Sequence, residues 1–206
     1  LRPGAQLAGW TGRPPIAYHV GPLSPYTSPV VTRHEVLRPV KVWTSPAGAQ
    51  LVDFGQNLVG WVRFTVTGDA GATITIRYAE VLEDGELGVR PLRTARATDR
   101  FVLSGGADTF EPTKTFHGFR YAELDGWPGE LTQDSLVAVV VHSDLQRTGE
   151  FACSDPLLDQ LHRNVVWGLK GDFLDVPTDC PQRDERLGWT GDISAFAPTA
   201  AYLYDV

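Results

Sequence analysis

The sequence predicts a mainly β chain: an antiparallel β-sandwich of jelly-roll type, followed by the first helices of a second, truncated domain. Three observations carry this. From Leu51 onward, apolar and polar residues alternate in several short runs, the pattern of strands with one wet face. Turn dipeptides such as Asp84-Gly85 and Gly105-Gly106 punctuate these runs without helical segments between them. At Ser154 the apolar period changes from two to about 3.6.

Residues 1–48 are rich in Pro and Gly, with short apolar runs such as V-L-R-P-V-K-V-W at 36–43. Proline removes a ladder donor and extends its predecessor, so this part reads as edge strands and linker, the tail of an upstream β module. Residues 49–147 are expected to form the sandwich. W-V-R-F-T-V-T at 61–67 puts Trp61, Arg63, Thr65 and Thr67 on one face and Val62, Phe64 and Val66 on the other. Ile74, Ile76 and Tyr78 align in the next run, and further strands are expected around Phe101 and Leu103, around Phe119 and Tyr121, and at 136–141. At least six strands without intervening helices favour a sandwich over a doubly wound sheet. Residues 82–98 have weak periodicity and read as an irregular excursion of the kind that borders a binding site.

Residues 148–206 belong to the second domain. Ser154 is the expected N-cap of a helix with Leu157, Leu158, Leu161, Val165 and Leu169 on one face and Gly171 as its stop. A second helix is expected to start near Asp192 and to carry Ile193, Phe196, Ala197, Ala200 and Tyr204, with Pro198 as a threat to its continuity. Two helices do not bury two such faces by themselves, so further helices are expected to cover them.

Composition narrows the function. A net charge of −7 and the lack of any Lys/Arg cluster argue against nucleic acid or an anionic membrane as partner. No apolar run is long enough to span a bilayer as a helix. Cys153 and Cys180 are expected to be reduced thiols. The first residues have neither a signal-peptide core nor an initiator Met. An excised segment is therefore the expectation, and the parent's targeting stays open, with a soluble cytoplasmic setting slightly favoured.

The chemistry concentrates between the two helices. Six acids (Asp172, Asp175, Asp179, Asp184, Glu185 and Asp192) are interleaved with Arg183, Arg186 and Trp189. Glycoside hydrolysis needs one carboxylic acid to protonate the leaving oxygen and an opposed carboxylate to activate water or attack the sugar. Trp189 offers an apolar platform for a sugar face, Asp179 and Asp192 can accept from hydroxyls, and the arginines can hold carboxylates ionised. The bland alternatives are an arginine salt bridge for Asp184 and an N-cap role for Asp192, and residue chemistry leaves Asp184 and Glu185 both open as the acid. No calcium-loop spacing, zinc pattern or nucleotide-binding motif is present, so neither metal nor cofactor is expected. His117, His142 and His162 read as structural.

V-P-T-D-C-P-Q-R-D-E-R-L-G-W-T-G-D at 176–192 resembles the signature of the bacterial α-L-rhamnosidases of glycoside hydrolase family 78. D-F-G-Q-N-L-V-G-W-V at 53–62, R-Y-A-E-V-L at 77–82 and H-G-F-R-Y-A-E-L at 117–124 resemble the concanavalin-like β-sandwich of that family. T-G-E-F-A-C-S-D-P-L-L-D-Q-L at 148–161 resembles the opening of its (α/α)6 barrel. The resemblance implies Glu185 as general acid, Asp179 and Asp192 as acids that hold rhamnose hydroxyls, and Arg183 and Trp189 as pocket-lining residues. It also implies a single inverting displacement without cofactor, rhamnose-containing glycosides as substrates, and a general base from a later part of the barrel. Asparagine is expected where this chain has Asp172. Two rivals stand beside it: a carbohydrate-binding or structural sandwich without activity, and a different inverting glycosidase or a phosphorylase on the same barrel.

Overall fold

A computed structural model describes residues 21, 22 and 24–206; the first twenty residues of the expected upstream tail lie outside the described residues. Ten strands come first: β1 (Val31–Leu37), β2 (Lys41–Thr44), β3 (Gln50–Thr67), β4 (Thr73–Ala79), β5 (Val81–Glu83), β6 (Glu86–Gly88), β7 (Thr98–Val102), β8 (Ala107–Phe110), β9 (His117–Asp125) and β10 (Leu136–Ser143). Helix α1 (Pro156–Asp172), the two-residue strands β11 (Phe173–Leu174) and β12 (Val176–Pro177), and helix α2 (Thr190–Leu203) follow.

The main sheet is antiparallel, in the order β1-β10-β3-β9-β4-β7, with β2 and β8 also paired to β3. The 18-residue strand β3 ties the layers together. Its start lies between β2 and β9, through Lys41↔Asp53 and Asp53↔Tyr121. Its end lies between β10 and β8, through Phe64↔Leu136 and Phe64↔Phe110. The register slips between Asp53 and Leu58, where Gly55 takes φ 75°, and such a bulge bends a strand so that a sheet can curl. Further along, at Gly60, a Cβ would meet the Val139 carbonyl oxygen at 1.8 Å. Only a residue without a side chain lets β10 approach this closely.

The alternation read from the sequence has its expected consequence. Val62 and Phe64 are buried while Trp61 and Arg63 are half-buried, and Ile74, Ile76 and Tyr78 face the core from β4. Aromatic edges fill the space between layers: Phe54 and Tyr78 meet Phe119 at 5.6 and 4.8 Å, and Phe64 meets Phe110 and Trp127 at 5.2 and 5.1 Å. Edge-to-face and offset geometries of this kind add to what area burial supplies. The architecture is the antiparallel concanavalin-like sandwich followed by the opening of a helical domain that the sequence predicts.

Several local expectations are corrected. Residues 82–98 are not wholly irregular: β5 and β6 pair as a small hairpin, followed by a 3-10 turn at Arg90–Leu92. Asp155, not Ser154, caps α1, accepting from Leu157 N at 2.9 Å, which places Pro156 in the first helical position, where its missing N–H costs nothing. Gly171 does not stop α1, which runs on to Asp172. Asp192 is in the first turn of α2 and is not its N-cap; Trp189 holds that place. Pro198 leaves α2 unbroken. Val166 and Leu169 pack with Phe173, Ala200, Leu203 and Tyr204 in a second small core, while Leu157, Leu158, Leu161 and Tyr202 are exposed. Among the described residues no helix is long and apolar enough to cross a membrane.

Candidate active site

The chain leaves α1 at Phe173 and turns sharply at Asp175, in left-handed geometry (φ 71°), between β11 and β12. Leu174 packs with Val59 and Val141 of the sandwich, and Thr178 N donates back to Asp172 O at 2.8 Å. From there to Trp189 the backbone is irregular, and the sandwich supports it. A Cβ on Gly118 of β9 would lie 2.9 Å from Gln182 Cβ, so the loop rests directly on the sheet. Arg186 donates to Phe116 O at 3.0 Å and Pro181 O at 3.3 Å, with its guanidinium 4.3 Å over the Phe116 ring. It is therefore a packing arginine, and burial pulls its pKa below the usual guanidinium value.

Four of the five sequence-predicted site residues are linked here. Glu185 Oε2 accepts from Arg183 Nε at 2.9 Å and also from Arg93 Nη1, of the sandwich, at 2.7 Å. Arg183 Nη2 is 3.8 Å from Asp179 Oδ2, and Asp179 Oδ1 accepts from Leu187 N at 3.2 Å. Trp189 Nε1 donates to the Glu185 carbonyl at 3.1 Å, which leaves the indole largely exposed beside the acid. Asp192, the fifth, makes no hydrogen bond to these four among the described residues; it shares with Asp179 a cavity of about 350 Å³ between α1 and α2. Asp184, adjacent to Glu185, is exposed and turned toward the sandwich, where the Thr94 hydroxyl donates to it and holds its carboxyl below the usual range.

A second cavity, of about 430 Å³, opens between the sandwich and the loop, lined among others by Asn57, Glu80, Trp167, Asp172, Asp179 and Arg183. Asp172 and Asp179 border both cavities. Asp172 Oδ1 is buried and has no hydrogen-bond partner among the described residues. Burial, followed by the charges of Asp179, Glu80 and Asp192, raises its pKa from 3.8 to about 6. The folded protein therefore binds a proton between about pH 4 and pH 6 that the unfolded chain has released, and stability falls as pH rises through that window. Asp172→Asn removes the penalty. We expect a gain of about 1–2 kcal/mol at pH 7, after allowing for solvent screening, and little at pH 4. Urea midpoints at the two pH values check this; an equal shift at both would contradict it.

Asp179, Cys180 and Glu185 bring possible ligand atoms within 4.8 Å of one another, but the group does not suit a cation. Arg183 and Arg93 already balance its carboxylates. Burial, and then Asp179, push the Cys180 thiol up to about 11, so it stays protonated and binds metal poorly. Sequence reasoning missed Arg93, Thr94, Asn57 and Glu80. The last two lie within D-F-G-Q-N and R-Y-A-E-V-L, and only spacing in the fold brings them to the loop. Arg93 carried one signal, its place in the excursion expected to border a site.

Comparison with known proteins agrees with this fold. Residues 44–142 match the family model of the bacterial alpha-L-rhamnosidase concanavalin-like domain, and residues 146–206 that of the bacterial alpha-L-rhamnosidase 6 hairpin glycosidase domain. The chain is 52% identical over 167 residues to an alpha-L-rhamnosidase of Streptomyces avermitilis, covering 80% of this chain and 16% of that one. It is 43% identical over 159 residues to an alpha-L-rhamnosidase of Alteromonas sp., covering 76% and 17%. Among solved structures, native α-L-rhamnosidase from Aspergillus terreus superposes with a TM-score of 0.84 at 53% identity, over 86% of this chain and 21% of that one. The Streptomyces avermitilis α-L-rhamnosidase complexed with L-rhamnose gives 0.83 at 49%, over 86% and 17%. The chain thus spans about a fifth or less of each of these four relatives. With both family models matched in sequence order, and the solved relatives sharing this fold at up to 53% identity, the chain belongs to the bacterial α-L-rhamnosidase family.

Proposed function

We propose that these residues are part of a larger enzyme that hydrolyses terminal α-L-rhamnose from rhamnosides with inversion. Residues 49–147 would be the body of the sandwich domain, joined by β1 and β2 from the 1–48 stretch, with the residues before β1 the tail of an upstream β module, and 148–206 the opening of the catalytic barrel. The observation that carries the proposal is the setting of Glu185. Its Oε2 is occupied by two guanidinium groups, while Oε1 has no hydrogen-bond partner among the described residues, and the exposed Trp189 indole and the Asp179 carboxylate lie close by.

In this reading Glu185 Oε1 hands its proton to the glycosidic oxygen as the bond from that oxygen to the sugar's anomeric carbon breaks, the bonding pair leaving with the oxygen. Water attacks from the opposite face and gives a proton to a carboxylate further along the barrel, ~6.5–9.5 Å away, as inverting hydrolysis requires. Asp179 and Asp192 hold sugar hydroxyls, Arg183 aligns Glu185, and Trp189 faces the ring. The relative solved with L-rhamnose supports this choice of sugar.

The test is turnover of an aryl α-L-rhamnoside by the whole protein, with NMR of the first anomer released. Hydrolysis to the inverted sugar is expected. No release of rhamnose, or release with retention, would sink the proposal.

A further inference from the structure

We infer that Arg93, supplied by the sandwich, is a positioning residue for Glu185, an assignment that rests on the general-acid reading above. The sandwich thereby becomes a working part of the catalytic unit.

A guanidinium carries donors only, so Oε2, which takes Arg93 Nη1 at 2.7 Å and Arg183 Nε at 2.9 Å, is committed to accepting. The proton to be delivered is then confined to Oε1. The two arginines differ in what they fix. Arg183 sits two residues before Glu185 on the same loop and moves with it. Arg93 reaches across from another domain, 92 residues away, and is the one that sets the carboxyl relative to the rest of the molecule. Thr94 repeats the tie at the next position, donating to Asp184.

Arg93 is itself firmly held. Leu92, just before it, is buried in the sandwich core. The return strand is locked by Tyr78 N donating to Ala97 O at 3.0 Å, and by Tyr78 Oη and His117 Nε2 on Asp99 Oδ2 at 2.9 and 3.2 Å. Arg93 also adopts φ 56°, a left-handed backbone that a non-glycine residue pays for with strain and that persists only where its surroundings impose it. As a source of stability the ion pair is minor: the Arg93 and Glu185 side chains are 55% and 35% exposed, and pairs that wet contribute little. Its importance is geometric, because misplacing a reacting group by 1 Å can cost on the order of 10²-fold in rate.

The experiment compares Arg93→Ala, Arg93→Lys and Glu185→Gln in the whole protein on α-L-rhamnosides whose leaving groups run from nitrophenol to an alkyl alcohol. We expect Arg93→Ala to lower kcat by about 10–100-fold on the poor leaving groups, with KM little changed and a smaller loss on nitrophenol. Arg93→Lys should recover part of it. Arg93→Ala turning over the alkyl rhamnoside within about twofold of wild type, while Glu185→Gln loses it, overturns the role of Arg93 alone. Glu185→Gln without any leaving-group-dependent loss overturns the general-acid reading, and the inference with it. Should Arg93→Ala prove unstable, Arg93→Lys carries the test: a leaving-group-dependent fall in kcat supports the role, and a uniform fall or none refutes it.

Discussion

Replacing Glu185 by Gln in the whole protein is expected to cut hydrolysis of rhamnosides with poor leaving groups by ~10²–10⁴, the usual worth of a general acid. The amide keeps the shape and can still meet Arg183 and Arg93 through its oxygen, but it has no acidic proton to give. An activated aryl rhamnoside departs with little protonation and should lose much less. Asp179→Asn should weaken both substrate types alike, because its proposed task is to hold sugar hydroxyls. Asp184→Asn is the control. Its carboxyl accepts the Thr94 hydroxyl and is turned toward the sandwich. Comparing kcat/KM for the three variants decides between the adjacent acids. A leaving-group-dependent loss in Asp184→Asn, absent from Glu185→Gln, would reverse the assignment.

The largest expected effect on folding lies far from the acids. Gly60→Ala would place a Cβ 1.8 Å from the Val139 carbonyl oxygen, a backbone atom that can move only by parting β3 from β10. We expect a loss of about 3–5 kcal/mol or failure to fold, at the upper end of what single substitutions do. Gly191→Ala is the comparison: it lies within α2 with nothing within 4 Å of the added carbon. That change should be neutral or stabilising by up to about 1 kcal/mol, since alanine favours a helix over glycine. Chemical denaturation followed by circular dichroism measures both. Equal stability of the two variants would mean that β10 does not press on Gly60 as closely as described.

The sandwich was legible because its signal is local. Val62 and Phe64, or Ile74, Ile76 and Tyr78, declare a buried face through their own spacing, and the acidic loop declared itself by composition. Helix ends were less legible: Asp155 and Ser154 are both good caps, and only the backbone angles choose between them. Least legible was the company kept by the acids. Arg93 meets Glu185 across 92 residues, and no periodicity announces a contact made by two folded parts. Nor could the sequence show that an aspartate at 172 would sit with one oxygen buried and unpartnered, with its pKa raised by that burial.

Strand β3 has a further consequence, for synthesis. Gln50 pairs with Leu124, and Phe64 with Leu136, so these positions leave the ribosome roughly seventy residues before those partners exist. At 5–20 residues per second that is on the order of 4–14 s during which a long apolar strand has only β2 and, later, the short β8 to lie against. Contacts so distant along the chain are slow to close, and an unpaired strand invites pairing with other chains. The step that commits the nascent chain is therefore the arrival of β9 and β10. Slowing translation between residues 67 and 117 is expected to increase dependence on chaperones more than the same pause placed after residue 143.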